Sequence, residues 1–264
     1  MCGRYILQRD PAGLIQYFDA APPTPNHPPS WNMAPTQPGL VLRRNPQTGA
    51  RHLDVLRWGL VPRWAKDATG AARLINARGE TVAEKPSFRE AFHKRRCLVP
   101  MDGFYEWTAD SNPTGPAIHA LTEVGQGDRG HKQPFAVALR SGAPMAVAGL
   151  WEGWQQPDGN WLRSYSVITC AAAGRQALLH PRMPVILSPE DWPEWLGESP
   201  AEPEVIHRLL RPAADGLLAF WPVGARIGRV AENDVGLLGG HDGALPEKWS
   251  ALNDPPPDWA KARL

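Results

Sequence analysis

Short runs of apolar, β-branched and aromatic residues recur along this chain, separated by turns rich in proline and glycine. Gly39–Arg43, Leu53–Trp58, Pro134–Leu139, Ala146–Trp151 and Tyr165–Thr169 are five or six residues long. Such runs, bounded by turn residues, predict strands. Helical patterns are fewer. Asp10 stands where it would cap a helix carrying Leu14, Ile15, Tyr17 and Phe18. Ser87, with Glu90 three residues on, has the pattern of a capping box before Phe88, Ala91 and Phe92. Ser188–Asp191 opens a third helix, and Glu204–Leu210 suggests a fourth. Many short strands with few helices predict an α+β fold, mainly an antiparallel curved sheet with a barrel-like core and a few peripheral helices.

Composition narrows the function classes. The 264 residues are 42% hydrophobic and 21% charged, ordinary for a globular protein. The net charge of +1 does not announce a nucleic-acid partner for the chain as a whole, though it leaves room for a local basic groove. Twelve tryptophans are many. Trp packs in cores and also stacks on unpaired bases. Three cysteines, Cys2, Cys97 and Cys170, with no CxxC pair, argue against a disulfide framework and against structural zinc. Polar residues soon after Met1 leave no apolar signal core, and no apolar run reaches the roughly 18 residues that span a bilayer. The expectation is a soluble cytoplasmic protein with no membrane partner.

Five stretches carry candidate chemistry. In Met1-Cys2-Gly3-Arg4-Tyr5, loss of Met1 would leave Cys2 with a free amine and a thiol on adjacent carbons. That 1,2-aminothiol attacks an aldehyde first through nitrogen and then through sulfur, closing a thiazolidine; otherwise Cys2 is a lightly packed thiol. Asn76, after the apolar pair Leu74-Ile75, either binds a ligand oxygen and amine or terminates a strand. Arg78 shares its face if the segment is extended, and suits a phosphate or a surface ion pair. Glu106, set among Phe104, Tyr105 and Trp107, would have its pKa raised by desolvation and could shuttle protons; the alternative is a strand residue facing water. Asp102, before Gly103, reads as a turn residue. His180, close to Pro181 and Pro184, is either an acid or base or a satisfied structural histidine. Trp64 between Arg63 and Lys66 fits a single-strand nucleic-acid groove, whereas Trp58 reads as core.

Together these stretches resemble the SOS-response-associated peptidase family of abasic-site crosslinking or sensor proteins. The resemblance runs through Met1–Tyr5, Asn32–Pro35, Trp58–Pro62, Ile75–Thr81, Arg95–Pro100, Asp102–Trp107, Thr169–Ala173 and His180–Leu187. It implies removal of Met1, by the protein itself or by an aminopeptidase. Mature Cys2 would lie in a basic cleft that receives single-stranded DNA and would form a thiazolidine crosslink with a ring-opened abasic site. Asn76, Glu106 and His180 match the family's active-site residues, and Arg4 and Arg78 its DNA-backbone contacts. Trp64 and the Asn32–Pro35 loop, including Asn32 and Pro35, match elements that line the DNA path. No cofactor and no metal are expected, and the chain is expected to be a monomer. The expected organisation is a single domain over residues 1–240 with a tail over 241–264, the Gly-, Pro-, Asp- and Thr-rich stretch at about 108–132 reading as an insertion and the polar, proline-bearing end as peripheral. One departure stands out: Gly228 occupies a position where the family pattern leads one to expect Asn.

Two other function classes fit parts of the pattern. An amino-terminal-nucleophile amidohydrolase of the glutamine amidotransferase type also begins Met-Cys-Gly, but no glutamine-binding signature follows. A non-covalent reader of modified bases would use the tryptophans and leave Cys2 incidental.

Overall fold

The computed structural model describes residues 2–111, 132–239, 245 and 247–261, the side chains of 109–111 and 248 excepted. The apolar runs become strands within a residue or two of the expected bounds, and longer ones extend into polar flanks. In chain order the strands are β1 (Tyr5–Leu7), β2 (Ser30–Met33), β3 (Pro38–Arg44), β4 (Arg51–Trp58), β5 (Asn76–Arg78), β6 (Arg96–Met101), β7 (Gly103–Ser111), β8 (Lys132–Leu139), β9 (Met145–Gln155), β10 (Trp161–Ala171), β11 (Arg182–Pro184), β12 (Ile186–Leu187) and β13 (Leu218–Pro222). The insertion expected at 108–132 falls mostly on 112–131, outside the described residues.

Five of these strands close on themselves. β3 pairs with β4, β4 with β10, β10 with β9, β9 with β6, and β6 with β3. Closure into a barrel is how a curved sheet disposes of its edges. A second sheet, in the order β13-β8-β7-β1-β2, is antiparallel throughout. Among the paired strands, only β10 with β4 and β10 with β5 run parallel. The fold is therefore α+β with a mainly antiparallel, barrel-like core.

Burial follows this layering. β8 is buried from Gln133 to Ala138 without a break, as expected of a strand covered on both faces. β4 instead buries Leu53, Leu56 and Trp58 and turns Arg51, Asp54, Val55 and Arg57 outward. Tyr5, Trp58 and Tyr165 are wholly buried together: Tyr5 meets Trp58 edge-on at 5.1 Å, and Tyr165 stacks on Trp58 at 6.3 Å. Trp58 is core, as the sequence suggested, and Cys170 is buried.

The parallel pair explains how distant sequence reaches one cleft. β4 lies beside Ser164 and Tyr165 of β10 and ends at Trp58. Gly59 then turns the chain away with φ +110°, in a place where a Cβ would stand 2.6 Å from the Ala71 carbonyl oxygen. The chain returns as β5, which takes over the same edge of β10 beside Val167, Ile168 and Thr169.

The helices are short: α1 (Pro11–Tyr17), α2 (Arg89–Lys94), α3 (Gln176–Leu179), α4 (Trp192–Leu196), α5 (Pro203–Arg208) and α6 (Asp258–Lys261). Asp10 does precede α1, but its side chain makes no capping bond; Pro11, with φ already set, opens the helix. The capping box expected at Ser87 and Glu90 does not form. Phe88 occupies the boundary, and the Phe88 and Arg89 amides both donate to the Lys85 carbonyl at 2.9 Å. A backbone turn thus satisfies donors that Ser87 would otherwise cap. Ser188–Asp191 leads through a 3-10 turn into α4.

The C-terminal stretch, expected to be peripheral, is built into the core where it is described. Trp249, Leu252 and Ala260 are buried, with Trp249 edge-on to Phe135 at 6.0 Å. Asp102 forms the bend between β6 and β7, as expected of a residue before Gly103, and is held there by its side chain. It is wholly buried, accepts from the Gln8 and Arg9 amides, and pairs with the Arg9 guanidinium at 2.5 Å. No helix among the described residues is long and apolar enough to cross a membrane.

Candidate active site

The first strand delivers the amino-terminal residues. β1 runs antiparallel to β7 with Tyr5 opposite Phe104, and the Tyr105 amide donates to the Arg4 carbonyl at 3.0 Å. Residues ahead of Tyr5 therefore lie alongside those that follow Phe104, which carries Cys2 toward Glu106. The Cys2 side chain is fully buried. Burial, reinforced by the negative charge of Glu106, pushes its thiol up to about 12. The Glu106 carboxyl is itself only 4% exposed, and burial raises it above the ordinary carboxylate range. The sequence suggested this for a carboxylate flanked by aromatic residues, and the structure places it in the interior rather than toward water.

β5 brings the second component. The Asn76 side-chain amide donates to the Cys2 carbonyl at 2.9 Å. Its Oδ1 is buried with no hydrogen-bond partner among the described residues. An acceptor held this way is open to an amine or hydroxyl that enters beside Cys2. Alternation along β5 buries Ala77 and leaves Arg78 exposed on the Asn76 side, with no ion pair among the described residues.

His180 follows α3, which packs against β7. The Arg182 amide donates to His180 Nδ1 at 3.0 Å. Nδ1 also lies 3.3 Å from the Arg182 carbonyl, which would accept from it in the other tautomer; the shorter amide bond makes Nδ1 the acceptor in the neutral ring and places the proton on Nε2. Burial lowers the pKa of His180, which favours that neutral form. Arg182 was not singled out from sequence. Its guanidinium pairs with Glu80 at 2.6 Å and donates to the Thr169 carbonyl at 2.6 Å, tying the His180 turn to β10. Its place two residues beyond His180 was the available signal.

The remaining expected residues divide into two groups. Arg4 and Asn32 form a structural knot. Arg4 donates to Asn32 Oδ1 at 2.8 Å and to the Ile227 and Gly228 carbonyls at 2.9 and 3.2 Å. Asn32, only 1% exposed, donates in turn to the Arg229 and Glu232 carbonyls. Its amide is spent on backbone, so in this structure it acts by holding Arg4 and the 227–232 turn. The departure at Gly228 loses its force, because a backbone carbonyl does the work and any residue supplies one. Asn233, not anticipated, accepts from the Trp31 and Asn32 amides at 2.7 and 3.1 Å. Trp64, by contrast, is 67% exposed. It borders a cavity of about 250 Å³, shared with Lys66, Arg73 and Leu74, that ends two residues short of Asn76. Pro35 is half-buried, beside Thr36 at φ +72°.

The structure thus joins Cys2 to Asn76 directly, lays Cys2 alongside the strand that carries Glu106, and sets His180 just beyond the helix that packs against β7. A thiol and a carboxyl can transfer protons around a reacting carbonyl carbon, and an unmatched amide oxygen can hold a donor in place there. Among the described residues no cluster of His, Cys, Asp and Glu is suited to hold a metal ion.

Comparison with known proteins supplies the wider context. The model of the SOS response associated peptidase (SRAP) family matches residues 1–230. The chain is 34% identical to the abasic site processing protein YoqW of Bacillus subtilis over 243 residues, covering 91% of this chain and all of that one. It is 31% identical to the abasic site processing protein HMCES of Gallus gallus, covering 78% of this chain and 64% of that longer one. A crystal structure of a Bacteroides thetaiotaomicron protein shares the fold, with a TM-score of 0.72 at 21% identity over 85% of this chain and 93% of that one.

Proposed function

The chain belongs to the SOS response associated peptidase family, and from that premise we propose that it is a covalent sensor of abasic sites in single-stranded DNA. Removal of Met1, which lies outside the described residues, turns the Cys2 nitrogen from an amide into an amine. An α-amine has a pKa near 7.7 to 8.0, so a useful fraction is neutral and nucleophilic at about pH 7. That amine attacks C1′ of the ring-opened deoxyribose. The carbinolamine loses water to give an imine, and the Cys2 sulfur adds to the same carbon to close a thiazolidine.

What supports this reading most is the grouping around Cys2: its carbonyl is held by Asn76, and the charge of Glu106 on the neighbouring strand is felt at its thiol. Nitrogen attacks first because the imine it forms is the electrophile that sulfur then meets; burial keeps the thiol protonated until it adds. Glu106 takes the amine proton, returns one to the departing water, and serves the thiol in the same way. The neutral His180 ring donates a hydrogen bond from Nε2 to the sugar ring oxygen as the furanose opens, and that oxygen takes up the proton that the C1′ hydroxyl loses. Asn76 Oδ1 accepts from the amine and holds it in line. Ring closure is intramolecular, and proximity supplies much of its rate.

Arg4 and Arg78, with Arg63 and Lys66 near Trp64, neutralise phosphates without reading sequence, so affinity falls as salt rises. Asn32 and Pro35 shape the path rather than read it. The protein acts as a monomer that needs no cofactor. Loss of Met1 occurs by attack within the same cluster or by an aminopeptidase.

The test is to incubate the purified protein with a single-stranded oligonucleotide carrying one abasic site and to resolve the products on a denaturing gel. A heat-stable, slow-moving adduct that requires both the lesion and Cys2 is expected, with intact mass showing Met1 gone from the reactive protein. An adduct formed equally well by Cys2→Ala, or by protein that retains Met1, would overturn the proposal.

A further inference from the structure

At the opposite end of β10 from Arg78 lies a second basic site that the proposed crosslinking does not use. A cavity of about 450 Å³ opens between the β3–β4 hairpin and the β9–β10 pair, lined by Arg43, Arg44, His52, Asp54, Trp151 and Arg163 among others. That volume falls within the usual range for small-molecule sites. Three arginines face one carboxylate in a chain whose whole net charge is +1.

The groups are not equivalent. Asp54 is committed to Arg43, at 2.8 Å from its Nε and 2.7 Å from its NH2, and Arg43 also stacks on the Trp151 ring at 4.2 Å. This fixes one wall and cancels one charge. Arg163 is exposed, and neither it nor Arg44 makes an ion pair among the described residues. Arg44 Nε and His52 Nε2 are buried nitrogens with no hydrogen-bond partner among the described residues. Native proteins rarely leave buried polar atoms unmatched, and a missing ligand is one reason they do. Guanidinium groups present paired N–H donors at the spacing of phosphate oxygens.

We propose that this cavity binds a phosphate group, with Arg44 and Arg163 as its charge-bearing contacts and the Arg43–Trp151 stack as its rigid wall. The phosphate is either that of a small nucleotide or a diester of DNA that continues beyond the cleft. Arg163 lies six residues along β10 from Thr169, the partner of Arg78, a separation of about 20 Å. The site is therefore separate from the Cys2 cleft, and its occupancy does not depend on the chemistry proposed there.

The experiment titrates the full chain with inorganic phosphate, with a deoxynucleoside monophosphate and with an undamaged single-stranded oligonucleotide, sodium chloride holding the ionic strength constant. Arg163 is exposed and unpaired, so Arg163→Glu is expected to fold with an unchanged melting temperature. It should weaken binding about tenfold, whereas Arg208→Glu, the same charge change on α5, should not. Weakening with phosphate or the monophosphate assigns a small-anion site. Weakening with the oligonucleotide alone assigns a backbone contact. The proposal is overturned if no probe binds saturably, or if Arg163→Glu binds every probe as the unaltered protein or the Arg208→Glu control does.

Discussion

The side-chain amide of Asn76 donates to the Cys2 carbonyl at 2.9 Å, while its own oxygen is buried without a partner among the described residues. A neutral hydrogen bond contributes about 0.5–1.5 kcal/mol, and a buried unmatched acceptor costs about 1–3 kcal/mol. Asn76→Ala removes the unmatched acceptor but leaves the Cys2 carbonyl without its donor, two opposing costs of about 1–3 kcal/mol each, so its folding stability should lie within about 2 kcal/mol of the unaltered protein. The adduct rate, which depends on Cys2 being held in line, should fall on the order of 100-fold. Urea unfolding and single-turnover gels measure the two quantities. An adduct rate unchanged by Asn76→Ala would remove Asn76 from the mechanism.

Glu106 carries a stability cost with a defined pH signature. Burial raises its carboxyl, so the folded protein binds the proton more tightly than the unfolded chain does. The contribution favours folding below the ordinary value of 4.5 and is lost as pH rises through the folded value. Glu106→Gln should therefore be more stable than the unaltered protein at neutral pH, and the gap should narrow as pH falls toward 4.5. Its adduct rate should drop about 100- to 10,000-fold, the range for losing a positioned proton carrier. Melting temperatures measured from pH 4 to 8 would decide it; a Gln variant that is less stable at neutral pH contradicts the assignment.

His180 should show the opposite slope. Burial lowers its pKa, so the unfolded chain binds the proton more tightly. Stability present above the ordinary value of 6.5 is lost as pH falls from there through the lower folded value. Protonation at Nδ1 would also break the bond from the Arg182 amide. In His180→Ala the fall in stability below pH 6.5 should be shallower. An identical pH profile for the two proteins would place the acid sensitivity elsewhere.

Gly39 guards the barrel interior. The Tyr5 and Tyr165 hydroxyls share a hydrogen bond of 2.6 Å, and a Cβ on residue 39 would lie 2.4 and 2.3 Å from those oxygens. Gly39→Ala should destabilise the protein by about 1–3 kcal/mol through overpacking. Replacing both tyrosines by phenylalanine in the Gly39→Ala background removes the clashing oxygens and should recover part of that loss. Denaturant midpoints of the four proteins read the coupling, and strict additivity would contradict the clash.

Trp64 is exposed and should contribute little to the fold. Trp64→Ala is expected to shift stability by no more than about 0.5 kcal/mol. If a base stacks on its ring, affinity for single-stranded DNA should weaken by about 1–3 kcal/mol. Fluorescence anisotropy at fixed salt measures this, and unchanged affinity would leave Trp64 outside the DNA path.

Local chemistry made several features legible. Runs such as Pro134–Leu139 could be read as strands because their composition suits a buried extended backbone whatever the neighbours. Trp58 read as core for the same reason. The aromatic neighbours of Glu106 were enough to anticipate a desolvated carboxyl. Helix boundaries were less secure. Ser87 has the residue pattern of a cap, yet a turn from Lys85 met the same need, and nothing local distinguishes the two outcomes.

By itself, then, the order of residues determined the strand-rich character, the amino-terminal thiol and a short set of polar side chains worth watching. Only the tertiary structure decided which of them meet. Cys2 and Asn76 are 74 positions apart, and they touch because β5 replaces β4 along one edge of β10. Arg4 was expected at the DNA backbone, and the fold fixes its guanidinium by tying it to the Ile227 and Gly228 carbonyls, more than 220 positions away. Trp249 and Leu252 belong to the core because the chain folds back, with the Asp254 amide bonded to the Phe220 carbonyl at 2.7 Å. The physical reason is range. Propensity and periodicity act over a few residues, whereas burial and hydrogen-bond satisfaction are settled by whichever distant segments the closed barrel brings together.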